Sequence, residues 1–300
     1  MAYSVTGAVV LWIAAWTGVA LLARTSTGAR VAPAVALLAL PAPWIMPSSQ
    51  PVFRVVLAVA AVFLFISAVD FGAGRRPATL RGRLAYPVAL FGLIDTMSAV
   101  PVRPHVAWGA IGRFALAIVV AMLALSGWSA VAGAPAIARI SVRLLAAAAV
   151  IAMLAEVNSA IVQLAAGGFG VAFAPVHSEP FRSRSVTEFW SRRWNHVGAR
   201  WLRQRVFLRL RTRGVVLAVF ALFAVSAAIH VYLIASVASL ASSAMCAAFF
   251  LAQPCVLFAE RRLAVARWSP LPARLWTMTV FVALLPLVLL PVLAIMQVDL

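Results

Sequence analysis

Lysine is missing from this 300-residue chain, and carboxylates are nearly missing, with seven in all against 25 basic residues, every one an arginine. Charged residues make up 11% of the chain, against about 25% in a soluble globular domain. Two cysteines, Cys246 and Cys255, share one apolar stretch, so they read as small core residues and give no disulfide framework or metal site. The three aspartates, Asp70, Asp95 and Asp299, are too scattered to hold Mg²⁺ as a membrane prenyltransferase does. The four histidines, His105, His177, His196 and His230, form no i, i+3 or i, i+4 pair, which argues against a di-iron desaturase or hydroxylase and gives no pattern for a haem. No metal and no cofactor are expected. The first segment has no basic leader and is followed by Arg24, so it reads as a retained helix.

What the chain has instead is apolar surface: 65% hydrophobic residues and a mean hydropathy of +1.04. One soluble core cannot bury that excess. Apolar runs of about 20 residues recur, the length of a membrane-spanning helix rather than a barrel strand. The predicted fold is therefore an all-α polytopic membrane protein, one domain over residues 1–300, with spans near 4–23, 31–47, 52–69, 114–132, 144–168, 215–237, 240–259 and 275–296. Pro41, Pro43 and Pro47 predict a kink in the second span. Residues 84–95 are too short a stretch to cross and read as interfacial or re-entrant.

A net charge of +18 raises the question of nucleic acid, but the arginines alternate with the spans. Twenty-two of the 25 fall on one side of an eight-span topology; the exceptions are Arg54, Arg139 and Arg143. Arg-rich loops are retained in the cytoplasm. The expectation is a multi-pass protein of the bacterial cytoplasmic membrane, with both termini outside, no nucleic-acid partner, and some arginines facing an anionic substrate.

The longest Arg-rich region contains SVTEFWSRRWNH, Ser185–His196. Ser185 and Glu188 fit a capping box, which predicts a helix starting at Val186. At about 100° per residue, a continuous amphipathic cytoplasmic helix would align Val186, Trp190, Trp194, Val197 and Trp201, oppose Arg192, His196, Arg200 and Arg203, and leave Thr187, Ser191, Asn195 and Gly198 as a small-residue strip. An interfacial helix explains the first two strips. A polar groove facing a ligand uses the third. Inside the sixth span stands His230, 15 residues beyond Val215, so about 22 Å along a helix in a hydrocarbon core about 30 Å thick. Ionisable groups at that depth are costly and point towards function. Glu156, Ser159 and Gln163, with Asn158 near them, are equally suited to interhelical glue or to a site.

Together these residues resemble the wax synthase branch of the membrane-bound O-acyltransferases. The resemblance rests on Pro180-Phe181, Ser185 and Phe189-Trp190-Ser191-Arg192-Arg193-Trp194-Asn195, followed by His230 four residues after Ser226, and covers about residues 179–233. It implies transfer of an acyl group from acyl-CoA to the hydroxyl of a lipophilic alcohol, with acyl-CoA as co-substrate. It implies His230 and Asn195 as catalytic residues, and Trp190, Ser191, Arg192, Arg193, Trp194 and Ser226 as substrate-binding. Ala227 and Val231 stand where the family often has glycine and an acidic residue, so a carboxylate supporting His230 would come from elsewhere, with Glu156 the candidate. The chemistry suits the residues: a neutral imidazole can take the alcohol proton, an Asn amide can donate to an oxyanion, and arginines bind phosphates. The competing reading is a lipid or small-molecule transporter or flippase, with the arginine face, Glu156 and His230 as its pathway.

Overall fold

The structure is a computed structural model and describes residues 2–91, 100–168, 170–172 and 175–295. Asp95 and Asp299 lie outside the described residues, as does the end of the stretch 84–95, and the side chain of Asn158 is not among those described. The helices are α1 (Ala2–Leu22), α2 (Ser26–Ala36), α3 (Ala42–Ile45), α4 (Pro51–Gly72), α5 (Leu80–Phe91), α6 (Trp108–Ala130), α7 (Ala136–Gly168), α8 (Val186–Glu188), α9 (His196–Leu202), α10 (Leu208–Leu210), α11 (Val215–Ala235), α12 (Leu240–Arg262) and α13 (Pro270–Ile295). Eight spans among the described residues are long and apolar enough to cross a membrane. The chain is thus an all-α polytopic membrane protein, as its hydropathy predicts.

Contacts divide the chain into two compact units, Met1–Thr96 with Tyr232–Leu240, and Met97–Val231 with Ala241–Leu300. In the first unit, α1, α2 and α4 meet through alanines, with Ala15, Ala23, Ala29, Ala32, Ala36, Ala61 and Ala68 buried around Leu64 and Phe71. Lipid tails give helices no hydrophobic reason to associate, so small residues that permit close backbone packing supply the contact. The predicted kink is present. The α-helical bonding of α2 gives way to a 3₁₀ turn at Leu37–Ala39, and the chain resumes as α3 beyond Pro41. Proline cannot donate to the preceding turn and disfavours helical backbone before it.

Two arginines of this unit are bound entirely by carbonyl oxygens. Arg54 donates to Met46 O through Nε and one terminal nitrogen (2.9 and 2.7 Å) and to Ser236 O at 3.2 Å. Buried Arg83 donates to Ala20 O, Pro77 O and Ala78 O at 2.7–3.1 Å. Met46, Ser236 and Ala20 lie at or near the carboxyl ends of α3, α11 and α1, where carbonyls lack helical partners and the dipole favours a cation.

In the second unit, α6 and α7 form a helical hairpin. Ala147 of α7 packs with Leu289 and Leu293 of α13, and the Arg143 guanidinium lies 5.2 Å from the centre of the Trp128 ring. A two-residue ladder pairs Val100 with Ala172 and Pro101 with Val171. It continues as Val102 N–H to Gly170 O. Gly170 sits at φ +72, where a Cβ would come within 2.9 Å of Val102 O, so only glycine fits this turn without strain. Ser159 and Gln163 prove to be glue. Arg113 donates to Gln163, Gln163 donates to Ser159 Oγ, and Ser159 Oγ accepts Val176 N–H, fastening the loop ahead of the motif to α7. Cys246 is buried as expected, but Cys255 is exposed on the surface of α12 rather than in a core.

The arginine alternation generates a topological prediction. Single cysteines at Ser49 and at Arg192, in a background lacking Cys246 and Cys255, should be labelled by a membrane-impermeant maleimide from opposite sides. Labelling from the same side would overturn the eight-span topology.

Candidate functional site

The motif is not one amphipathic helix. Ser185 caps α8 as predicted, its Oγ accepting Glu188 N–H at 2.9 Å. The Glu188 carboxylate accepts the Arg184 amide rather than that of Ser185. From Phe189 to Arg193 the chain widens into a π-helical turn, and Trp194 then turns extended. Asn195 follows in the left-handed region at φ 41 and caps α9, its Oδ1 accepting Gly198 N–H at 3.0 Å. The expected stripe of Val186, Trp190, Trp194, Val197 and Trp201 is therefore cut in the middle, and Asn195 is a cap rather than one member of a small-residue strip. Asn tolerates left-handed backbone because its short polar side chain can bond locally.

The break is stitched to the preceding loop. Arg193 O accepts Ser178 N–H (2.8 Å), Val176 O accepts His196 N–H (2.9 Å), and His177 Nδ1 accepts Asn195 N–H (3.1 Å). Arg193 sits among acceptors: Glu188 at 2.6 Å and the carbonyls of Ser178 and Glu179 at 3.2 Å. Burial pushes the Glu188 carboxyl up, but the Arg184 amide bond and the Arg193 guanidinium outweigh that and hold it below its usual range. Ser191 bonds back to Thr187 O at 2.7 Å. Arg192 is exposed and makes no hydrogen bond or ion pair among the described residues.

The aromatic residues run from this stitched end to His230. Trp194 lies 4.3 Å from His177 and stacks on Phe189 at 5.5 Å; Phe189 meets Trp190 at 5.1 Å. Trp190 approaches Phe250 at 6.1 Å, and Phe250 lies 4.1 Å from the His230 ring. The Trp190 indole N–H donates to Gln253 Oε1 at 2.9 Å. His230 Nδ1 lies 2.8 Å from Ser226 O, one turn back on α11. A carbonyl only accepts, so Nδ1 carries the proton and Nε2 keeps its lone pair. Ser226 thus meets His230 through its backbone. Asn195 and His230 share no hydrogen bond among the described residues, and Glu156 forms no hydrogen bond or ion pair there.

Two residues that sequence reasoning passed over hold the motif. Glu260 of α12, 4% exposed, accepts Val186 N–H (2.6 Å), Thr187 N–H and Thr187 Oγ–H (both 3.1 Å), and Trp276 Nε1–H (3.0 Å). Gln253, with no exposed surface, takes the Trp190 indole. The signal for Glu260 was the rarity of carboxylates: one of only seven, standing at the very end of an apolar span, needs a reason.

The family model for the membrane bound O-acyl transferase family matches residues 173–252. That is just over a quarter of the chain, and it takes in the approach loop, the motif, α11 with His230, and α12 to the residue before Gln253. The match supports kinship with the membrane-bound O-acyltransferase superfamily over this stretch. No curated protein matches the chain.

The His177 contact is sensitive to protonation. Its ring is 6% exposed, and burial first, then the neighbouring His196, lowers its pKa from 6.5 to about 4. Protonation also puts a hydrogen on Nδ1 and ends acceptance from Asn195. Above pH 6.5 the ring is neutral whether folded or unfolded, and its titration contributes nothing to stability. As pH falls from 6.5 towards 4 the unfolded loop gains a proton that the folded loop refuses, and stability drops by up to about 1.4 kcal/mol per pH unit. Thermal melting in detergent should show this loss across that window, and His177→Gln, which retains an acceptor, should flatten it.

Proposed function

We propose that this protein is an acyl-CoA-dependent O-acyltransferase that esterifies a lipophilic alcohol, wax synthase-like in its chemistry, with Arg-rich loops on the cytoplasmic side. The observation that carries the reading is His230: a histidine within a membrane span whose Nδ1 is bound to Ser226 O, leaving Nε2 as an acceptor beside an aromatic wall. An alcohol is a weak nucleophile and needs a base as it attacks a thioester. In the proposed step His230 Nε2 takes the hydroxyl proton while the alcohol oxygen bonds to the thioester carbonyl carbon. The carbonyl oxygen becomes an oxyanion. The C–S bond then breaks, the proton passes from His230 to the thiolate, and ester and free CoA leave.

Asn195 spends Oδ1 on Gly198. Its two Nδ2 hydrogens are the donors with which it would steady the acyl donor or its oxyanion. Arg192, rather than the internally paired Arg193, is the guanidinium free to meet CoA phosphates. The aromatic series from Trp194 to Phe250 suits an apolar acyl chain.

His230→Ala should lower turnover by about 10²–10⁴, the usual worth of a positioned base, in protein that still inserts and melts as the parent does. Asn195→Asp keeps the capping oxygen and removes the donor. It should lower kcat by up to about 10²–10³ with little change in melting temperature. Both are read as free CoA and ester formed from acyl-CoA and a long-chain alcohol. A folded His230→Ala protein with parental turnover defeats the mechanism. A parent that moves lipid across vesicles and releases no CoA favours a transporter.

The two motif arginines should separate. Arg192→Gln should raise the KM for acyl-CoA with a smaller effect on kcat, because a phosphate contact acts on ground and transition states alike. Arg193→Gln should instead lower the yield of folded protein, since it removes the partner of Glu188. Equal kinetic effects without loss of folded protein would count against this division.

A further inference from the structure

Glu260 is a buried carboxylate that forms no ion pair among the described residues, and four hydrogen-bond donors converge on it. Removing a carboxylate from water costs several kcal/mol unless charge or hydrogen bonds replace the hydration. Here the replacement comes from two consecutive backbone amides and a hydroxyl at the start of the motif, and from an indole on α13. The carboxylate therefore fixes where the motif begins. Seven residues earlier on α12, Gln253 accepts the Trp190 indole with Oε1 and donates Nε2–H to Phe249 O at 3.1 Å. Both ends of its amide are used, so its orientation is set. Three residues earlier again, Phe250 lies against the His230 ring.

At about 100° per residue, Phe250, Gln253 and Glu260 fall within an arc of about 80° on α12. The first and last are about 15 Å apart along the axis. One face of α12, whose helix continues through Pro254, thus meets the start of the motif and its central tryptophan and carries the Phe250 ring that lies against His230. We propose that Gln253 and Glu260 are positioning residues: α12 acts as a ruler that sets the depth and rotation of the motif against His230, and acyl transfer depends on both side chains although neither meets substrate. The proposal rests on the acyl-transfer reading above. It assigns a role to two residues that lie past the end of the family match.

Small displacements matter in such a site, since misplacing a reacting group by about 1 Å costs on the order of 100-fold in rate. Glu260→Gln keeps the size and replaces one acceptor by a donor facing the motif amides. Gln253→Leu removes the acceptor of the Trp190 indole and leaves the Glu260 clamp intact. Trp276→Phe removes one donor to Glu260 without touching the motif and serves as the control. The full-length proteins are assayed in nanodiscs with acyl-CoA and a long-chain alcohol, and amide exchange is followed over residues 186–194.

Glu260→Gln and Gln253→Leu should lower kcat by about 10–100-fold with the KM for acyl-CoA within about twofold of the parent, and Trp276→Phe should stay near the parent. Amide protection over 186–194 should fall in Glu260→Gln. A merely structural role predicts less folded protein with parental kcat per folded molecule, and that result overturns the proposal. So does parental turnover in both variants. If Glu260→Gln fails to fold, Gln253→Leu alone decides by the same kcat and KM criteria. A parent that transfers no acyl group overturns the acyl-transfer reading itself, whereas an active parent beside unaffected variants overturns positioning alone.

Discussion

The geometry of the motif hangs on one carboxylate placed where the chain has almost none. Glu260 joins three elements, because its two oxygens serve the amides of Val186 and Thr187 on α8 and the Trp276 indole on α13 while its backbone belongs to α12. A helix only three residues long and a π-helical turn have no stability of their own. They persist because their amides are satisfied from outside and because the turn is sewn to residues 176–178 on its other side. The remaining glutamates of the region follow the same logic. Glu188 and Glu179 both face Arg193, so three of the four glutamates in the chain serve to shape a stretch of some 20 residues.

Arginine without lysine has a related physical meaning. A guanidinium offers five donors in a planar fork and can be satisfied by several carbonyls at once, where an ammonium is a compact charge that keeps its water. Arg54 and Arg83 use this at helix ends, bridging carbonyls from separate segments with no carboxylate involved. In a protein with so few acids, arginine can be a structural crosslink as well as a topological marker. Arg54 illustrates the point: it departs from the charge alternation, and it is the residue that ties the end of α3 to the end of α11.

The spans were legible because hydropathy over about 20 residues reports a bulk property of the solvent around them, and the kink at Pro41 was legible because proline acts locally. The capping of α8 by Ser185 was legible for the same reason. The break at Trp194–Asn195 was not. Helical periodicity continues through it in the residue types, and what defeats it is a pair of bonds to residues 18 and 20 positions upstream: Asn195 to His177, His196 to Val176. Glu260 was hidden by distance, 74 residues from the amide it accepts. Gln253 was hidden by its neighbours, since a glutamine inside an apolar span declares a partner without naming it. Local chemistry shows in a sequence; bonds that only the fold brings together do not.

The proposed site has two ends of opposite character, and the physics of the membrane accounts for the separation. At one end lie Asn195, Arg192 and a net of backbone bonds on connecting segments, outside the spans, where the proposed reaction would bring a hydrated, anionic donor. At the other end lies His230 within α11, with one ring nitrogen bound to a carbonyl that its own helix provides. An intrahelical carbonyl is the partner that remains available in a hydrocarbon environment, where every polar group needs an internal acceptor. It also fixes the tautomer without placing a second ionisable group beside the ring. Between the ends stands a series of neighbouring aromatic rings that carry no charge. In the proposed reaction a thioester with a polar head and an apolar tail would reach both ends, so the spacing between them bears on that reaction. A single continuous helix, α12, touches the motif at Val186 and Trp190 and the His230 ring through Phe250, so the motif and the histidine share one element rather than only the loops around them.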